Sequence, residues 1–401
     1  MPALRAFVTG PWRAVSVLGV TEILSWGALY YPPVLTVPLI AADHGWSKAF
    51  AMGGFSLGLL VGGLVSRHVG ALIDSFGGHL VMPCGSLIGA FGLCGLVAAP
   101  NAPAYFAAWM VLGVAMAASL YDPAFATLGR IFGKNARTPI TTLTLAGGFA
   151  STVSWPATQF LLDQVGWRGT YLVYAALLAG VAAPLHGFAL PRGRAHHEPS
   201  APDGLVAAEP IKPAAVRPPH GWTFILVATA FAAYAFVPSA LSAHLLAMFE
   251  RFGLAPATVV AIGMLFGPAQ VLARIGELGF GRRAHPLSTA RFAGGLLVAA
   301  FALIALVPFS VGVAAAFAVM YGMANGLMTI ARGTVPLALF GAGGYGRMVG
   351  RIGGPFLVVQ ALAPVVLAAV VERMSDAAGL TLVAGFAVVA VICFAAIRRA
   401  G

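Results

Sequence analysis

PRGRAHHEPSAPDGLVAAEPIKPAAVRPPH, residues 191–220, is the stretch that divides this chain. Prolines, charges and small residues crowd it, so it reads as a flexible linker. On both sides the chain is dominated by apolar runs. A helix needs about 20 apolar residues to cross a bilayer. Upstream, runs of that kind fall near 14–40, 49–69, 80–99, 104–129, 139–162 and 169–190. Downstream they fall near 221–247, 257–279, 289–307, 312–333, 351–371 and 380–397. Numbered as spans 1 to 12, they predict an all-α membrane protein of twelve transmembrane helices. It divides into an N-terminal six-helix half (1–190), a cytoplasmic linker (191–220) and a C-terminal six-helix half (221–401).

Composition agrees. Of 401 residues, 60% are hydrophobic and 9% are charged, against roughly a quarter charged in a soluble domain. The 50 Gly and 27 Pro suit membrane helices that pack closely and break locally. The first run, from about Ala14, is too long for a cleavable leader and is followed by more spans. Cys84, Cys94 and Cys393 lie inside apolar runs without metal-ligand spacing.

The net charge of +11 is scattered between the runs rather than gathered on one face. That excludes a nucleic-acid partner and turns the charge into a topology signal. With the N-terminus inside, Lys48, Arg168, Arg251 and Arg373 fall outside, and Arg67, Arg274 and Arg332 fall within spans. Sixteen of the 23 basic residues are left on the inner side. This bias predicts cytoplasmic N- and C-termini in a cytoplasmic (inner) membrane.

The halves echo each other. Ser66-Arg-His-Val-Gly70 in span 2 matches Ala273-Arg-Ile-Gly276 in span 8, pairing Arg67 with Arg274. Ala126-Thr-Leu-Gly-Arg130 in span 4 matches Met328-Thr-Ile-Ala-Arg332 in span 10. Pro33 and Gly45 match Pro238 and Gly253. Duplications of this kind build transporters with the site at the repeat interface.

Between spans 2 and 3 stands Gly70-Ala-Leu-Ile-Asp74-Ser-Phe-Gly77-Gly-His79. It resembles the loop signature of the major facilitator superfamily, Gly-x-Leu-x-Asp-Arg-x-Gly-Arg-Lys, with Ser75 and Gly78 in place of two basic residues. The resemblance implies a cytoplasmic latch in which Asp74 meets a helix N-terminus, with Gly70 and Gly77 making the turn. Within that superfamily the chain resembles the bacterial monocarboxylate and oxalate/formate branch. Gly45-Trp46-Ser47-Lys48, Arg137 followed by Ala146-Gly147, and Ala273-Arg274 carry this likeness. It implies that Arg274 meets a substrate carboxylate. The branch's Asp four residues earlier is Gln270 here, so its proton coupling does not carry over.

Ionised groups inside spans are costly and mark function or a partner. Arg274 and Arg67 are candidate substrate ligands, because a guanidinium stays charged and grips a carboxylate with two parallel bonds. Arg67 could instead pair with Asp74, seven residues on. Glu22, Asp122 and Glu277 are candidate proton carriers, though Glu277 could simply pair with Arg274, three positions away. Arg332 joins Asp74, Gly70 and Gly77 as a gating candidate, or snorkels to the interface. Tyr30 and Tyr31, with Trp26, and Tyr234 could wall a pocket, and Asn325 could add a polar contact; ordinary packing is the alternative. The Pro32-Pro33 pair and Pro238 are expected to interrupt spans 1 and 7.

The expected function is secondary active transport of a small organic anion, monocarboxylate-like, by a monomer in the lipid bilayer, with protons as a candidate partner. No cofactor is expected, and no phosphate-cradling loop, zinc spacing or nucleophile elbow points to an enzyme. Rival readings are drug or metabolite efflux and vitamin-type uptake. The efflux motif Gly-x3-Gly-Pro-x2-Gly-Gly is missing from 146–156 in span 5.

Overall fold

Lipid offers the backbone no hydrogen-bond partner, so a spanning chain must satisfy its own amides. In this computed structural model, which describes residues 10–192, 221–279, 281 and 284–398, every regular element is helical. Residues 193–220 of the expected linker lie outside the described residues, as do Arg5, Arg282, Arg283 and Arg399.

The N-terminal spans are α1 (Arg13–His44), α2 (Lys48–Phe76), α3 (Gly78–Ala98) and α4 (Ala102–Asn135). They are followed by one apolar stretch, Arg137–Ala189, of 53 residues, far too long for a single crossing. Gly166 breaks it at φ 66° and ψ −179°. A backbone turn with positive φ costs a glycine little. The break separates α5 (137–165) from α6 (167–189). The later spans are α7 (Gly221–Arg251), α8 (Pro256–Gly279), α9 (Pro286–Leu306), α10 (Val311–Phe340), α11 (Tyr345–Arg373) and α12 (Asp376–Ala396). Among the described residues these make twelve crossings.

Breaks in the helices bear on the site. α1 stops at Leu29 and restarts at Pro33, as the proline pair predicts. α4 breaks at Leu120, whose ψ of −159° leaves the helical region just before Asp122. Pro238 departs from expectation, because α7 runs unbroken through it. A proline removes one amide without ending a helix when neighbours take up the freed groups.

The outward faces are bare hydrocarbon. Phe188 is 89% exposed, Leu64 72% and Phe91 71%, a perimeter that only lipid can cover. Between the halves, α2 and α11 come closest. At Gly70 a Cβ would collide with the Gly346 carbonyl, and at Gly350 with the Ser66 carbonyl. Only backbones without side chains can approach that far.

Candidate functional site

The two halves are joined chiefly toward one end of the bundle, here called the latched end. There the Asp74 carboxylate, at the foot of α2, accepts from the Gly346 and Arg347 amides at 2.8 and 2.7 Å. These amides open α11, so the carboxylate lies on a helix N-terminus where the dipole favours it. The basic residues missing from the Gly70–His79 loop have a substitute. Arg130 of α4 donates to the carbonyls of Ile73 and Asp74. Gly77 turns the chain at φ 85°, whereas Gly70, expected in that turn, lies inside α2 and serves the close approach to Gly346 instead.

Two ion pairs also cross between the halves. Arg137 of α5 meets Glu277 of α8 at 2.8 Å, and donates to the carbonyls of Gly281 and Ala284. Thr289 adds a donor to the same carboxylate at 3.2 Å. Glu277 therefore does not pair with Arg274, although the two are three positions apart on α8. Deeper in, Arg332 of α10 meets Asp122 of α4 at 2.5 Å and lies over the Phe356 ring, 3.6 Å from its centre. Among the described residues, polar contacts toward the opposite end stay within one half. Asp43 holds Trp167 and Arg168, and Arg251 holds Asp376.

Further into the bundle than the Arg137–Glu277 pair, the side chains form a polar centre with aromatic rings nearby. Arg274 is 3% exposed. It donates to the Thr144 carbonyl at 2.8 Å, to Gln270 Oε1 at 3.4 Å and to the Gly326 carbonyl at 3.5 Å. All three acceptors are neutral. Among the described residues no carboxylate lies within 4.0 Å of it. A guanidinium has five N–H donors, so donors remain to spare. Gly148 makes room for this group, because a Cβ there would overlap Nη1. Gly147 does the same for the Tyr121 hydroxyl.

Tyrosines from both halves lie within electrostatic reach of this cation. Its charge acts on the hydroxyls of Tyr31 and Tyr121 from the first half and Tyr234 from the second. Trp26 packs against Tyr30, Tyr31 and Tyr121 with ring centres 4.8, 5.8 and 5.1 Å apart. Tyr30 accepts from Gln360 of α11 at 2.6 Å, and Tyr234 donates to Asn325. Thr329, one turn from Asn325, bonds the Asn325 carbonyl.

Glu22 is fully buried among these rings. Its Oε2 accepts from the Trp26 indole at 2.8 Å, and its Oε1 has no hydrogen-bond partner among the described residues. Asp122 also has one bare oxygen, Oδ1, and lies within electrostatic reach of Glu22.

The structure thus gathers Arg274, Tyr30, Tyr31, Tyr234, Asn325, Glu22, Asp122 and Arg332 toward the centre. It leaves Arg67 out: that side chain is exposed on α2 and forms no pair with Asp74. The close approach of Gly350 to the Arg67 backbone turns that residue away from the α11 seam. Tyr121, Tyr321, Gln360 and Thr144 escape the sequence reading. Tyr121 had a signal, since it adjoins Asp122-Pro123; the others had none.

The model of the Major Facilitator Superfamily matches residues 16–353. No curated protein sequence matches the chain significantly. Among solved structures, it is similar to the human organic anion transporter MFSD10 (TETRAN). The TM-score is 0.73 at 16% identity, covering 96% of this chain and 99% of that one. It is also similar to the Major Facilitator Superfamily transporter FucP in the outward conformation. There the TM-score is 0.70 at 12% identity, covering 96% and 98%. At such identities the likeness shows the fold alone, and the family match carries the assignment. The chain belongs to the Major Facilitator Superfamily, and it is by that membership a multi-pass membrane transporter of small molecules and not an enzyme.

Proposed function

We propose that the protein is a secondary active transporter that moves a small organic monoanion, a monocarboxylate, by alternating access. The observation that carries this reading is Arg274, a buried guanidinium held by neutral oxygens with no carboxylate beside it. A cation kept at that cost within a span favours an anionic visitor. The resemblance of Ala273-Arg274 to the monocarboxylate branch supports it, as does the organic anion named for one similar structure.

The latched end is taken as cytoplasmic, because the basic residues gather there in the N-in topology. The molecule then faces outward, with Asp74, Gly70, Gly77 and Arg332 among the parts that hold the inner side shut. For substrate to leave inward, the Asp122–Arg332 and Arg137–Glu277 pairs must part. Glu22 is the proton carrier of this reading, since one of its oxygens is bare and its surroundings are dry. The carrier works as a monomer in the cytoplasmic membrane.

The test is uptake in liposomes containing the purified chain. Labelled propionate should accumulate when an inward proton gradient is imposed, and dissipating the gradient should abolish accumulation. Equal counts with empty liposomes would overturn the reading.

A further inference from the structure

We infer that the carried acid has an aromatic ring and a single carboxylate. This rests on the reading of Arg274 as the anion ligand and narrows the class of substrate. Two observations beyond Arg274 carry it.

The first is the character of the walls. Trp26 and Tyr31 in the first half are only partly buried, and their rings pack tilted with centres 5.8 Å apart. Tyr321 of α10, packed against Phe266 and Phe317 with ring centres 5.4 and 5.9 Å away, lies within electrostatic reach of Tyr30 from the second half. Neither Tyr121 nor Tyr321 hydrogen-bonds to another described residue through its hydroxyl, so each offers an unused polar tip beside an aromatic face. Rings set at these distances favour another ring, edge-to-face or offset. A saturated body of equal volume would gain the burial without that preference.

The second is the charge count. Of the two buried guanidinium groups at the centre, Arg332 is already matched by Asp122 at 2.5 Å. With Glu22 carrying its proton, one cation is left to be balanced. A second carboxylate on the ligand would have no guanidinium left to meet and would add to the charge of Asp122, which keeps a bare oxygen among the described residues. Like charges held in a dry site repel strongly. The site therefore suits a monoanion and rejects a dianion.

The experiment is competition in liposomes containing the full chain. Unlabelled benzoate, cyclohexanecarboxylate, propionate and phthalate would each compete with labelled benzoate. Benzoate should displace at about tenfold lower concentration than cyclohexanecarboxylate, the gain expected of two ring contacts. Phthalate should be weaker than either. Tyr321→Leu, which keeps an apolar side chain and breaks no hydrogen bond among the described residues, should bring benzoate and cyclohexanecarboxylate to equal potency. Equal potency of the two six-membered acids, or effective displacement by phthalate, would overturn this inference and leave the carboxylate reading standing. Propionate uptake without benzoate uptake would have the same meaning. Failure of every acid would remove both.

Discussion

Asp122 and Arg332 meet at 2.5 Å across the seam between the halves, one from α4 and the other from α10. Each comes from the span that matches the other in the internal duplication. Both are mostly buried, at 11% and 13% side-chain exposure. Removing one partner of a buried pair leaves the other charge stranded, at a cost of about 3–5 kcal/mol. Asp122→Asn should therefore favour the state in which the latched end opens. Spin labels at Lys134 and Arg398, both exposed and at that end, should show a longer distance component in the variant. An unchanged distance distribution would mean that the pair is not part of the latch.

The outer pair should matter less. Arg137 is 23% exposed, and it keeps the carbonyls of Gly281 and Ala284 when the carboxylate is neutralised. Glu277→Gln is expected to lengthen the same label distances in a smaller fraction of molecules than Asp122→Asn. A larger effect from Glu277→Gln would reverse this ranking of the two pairs.

Gly148 leaves no space beside the Arg274 guanidinium. Its φ of −64° is ordinary helix, so a larger residue strains no backbone. Gly148→Val should displace the guanidinium and raise the half-saturating propionate concentration about tenfold, the value of one modest hydrogen bond. Expression and thermal stability should stay near wild type. Unchanged saturation would show that Arg274 can move without consequence.

Glu22 accepts from Trp26, lies within electrostatic reach of Tyr121 and Asp122, and has one oxygen without a partner among the described residues. Glu22→Gln preserves the shape and the indole bond while removing the exchangeable proton. Propionate exchange at equal concentrations on both sides should survive in this variant, whereas uphill uptake driven by a proton gradient should vanish. Gradient-driven accumulation at the wild-type level would assign the proton to another group.

The twelve crossings were legible because each leaves a run of apolar residues that only lipid accommodates. Even the 53-residue stretch over Arg137–Ala189 could be split in advance, since charge and glycine interrupt it near Gly166. Pro238 shows the limit of local rules: a proline marks a lost amide, and packing decides whether the helix ends. At the site, Arg274 and Glu22 stood out because charge is rare in these spans. Arg67 stood out for the same reason and misled, because a repeat match says nothing about which face of α2 meets a neighbour. Tyr321 and Gln360 gave no signal, since facing is set by how α10 and α11 pack and not by their own composition.

The most direct measurement is equilibrium binding of labelled propionate and benzoate to purified wild-type protein, Arg274→Lys and Arg274→Ala. A guanidinium gripping a carboxylate contributes about 1.5–3 kcal/mol. Binding should therefore weaken at least tenfold in Arg274→Ala and recover in part in Arg274→Lys, with all three proteins equally folded. Undiminished binding in Arg274→Ala, or no binding of either acid to the wild type, would contradict the account.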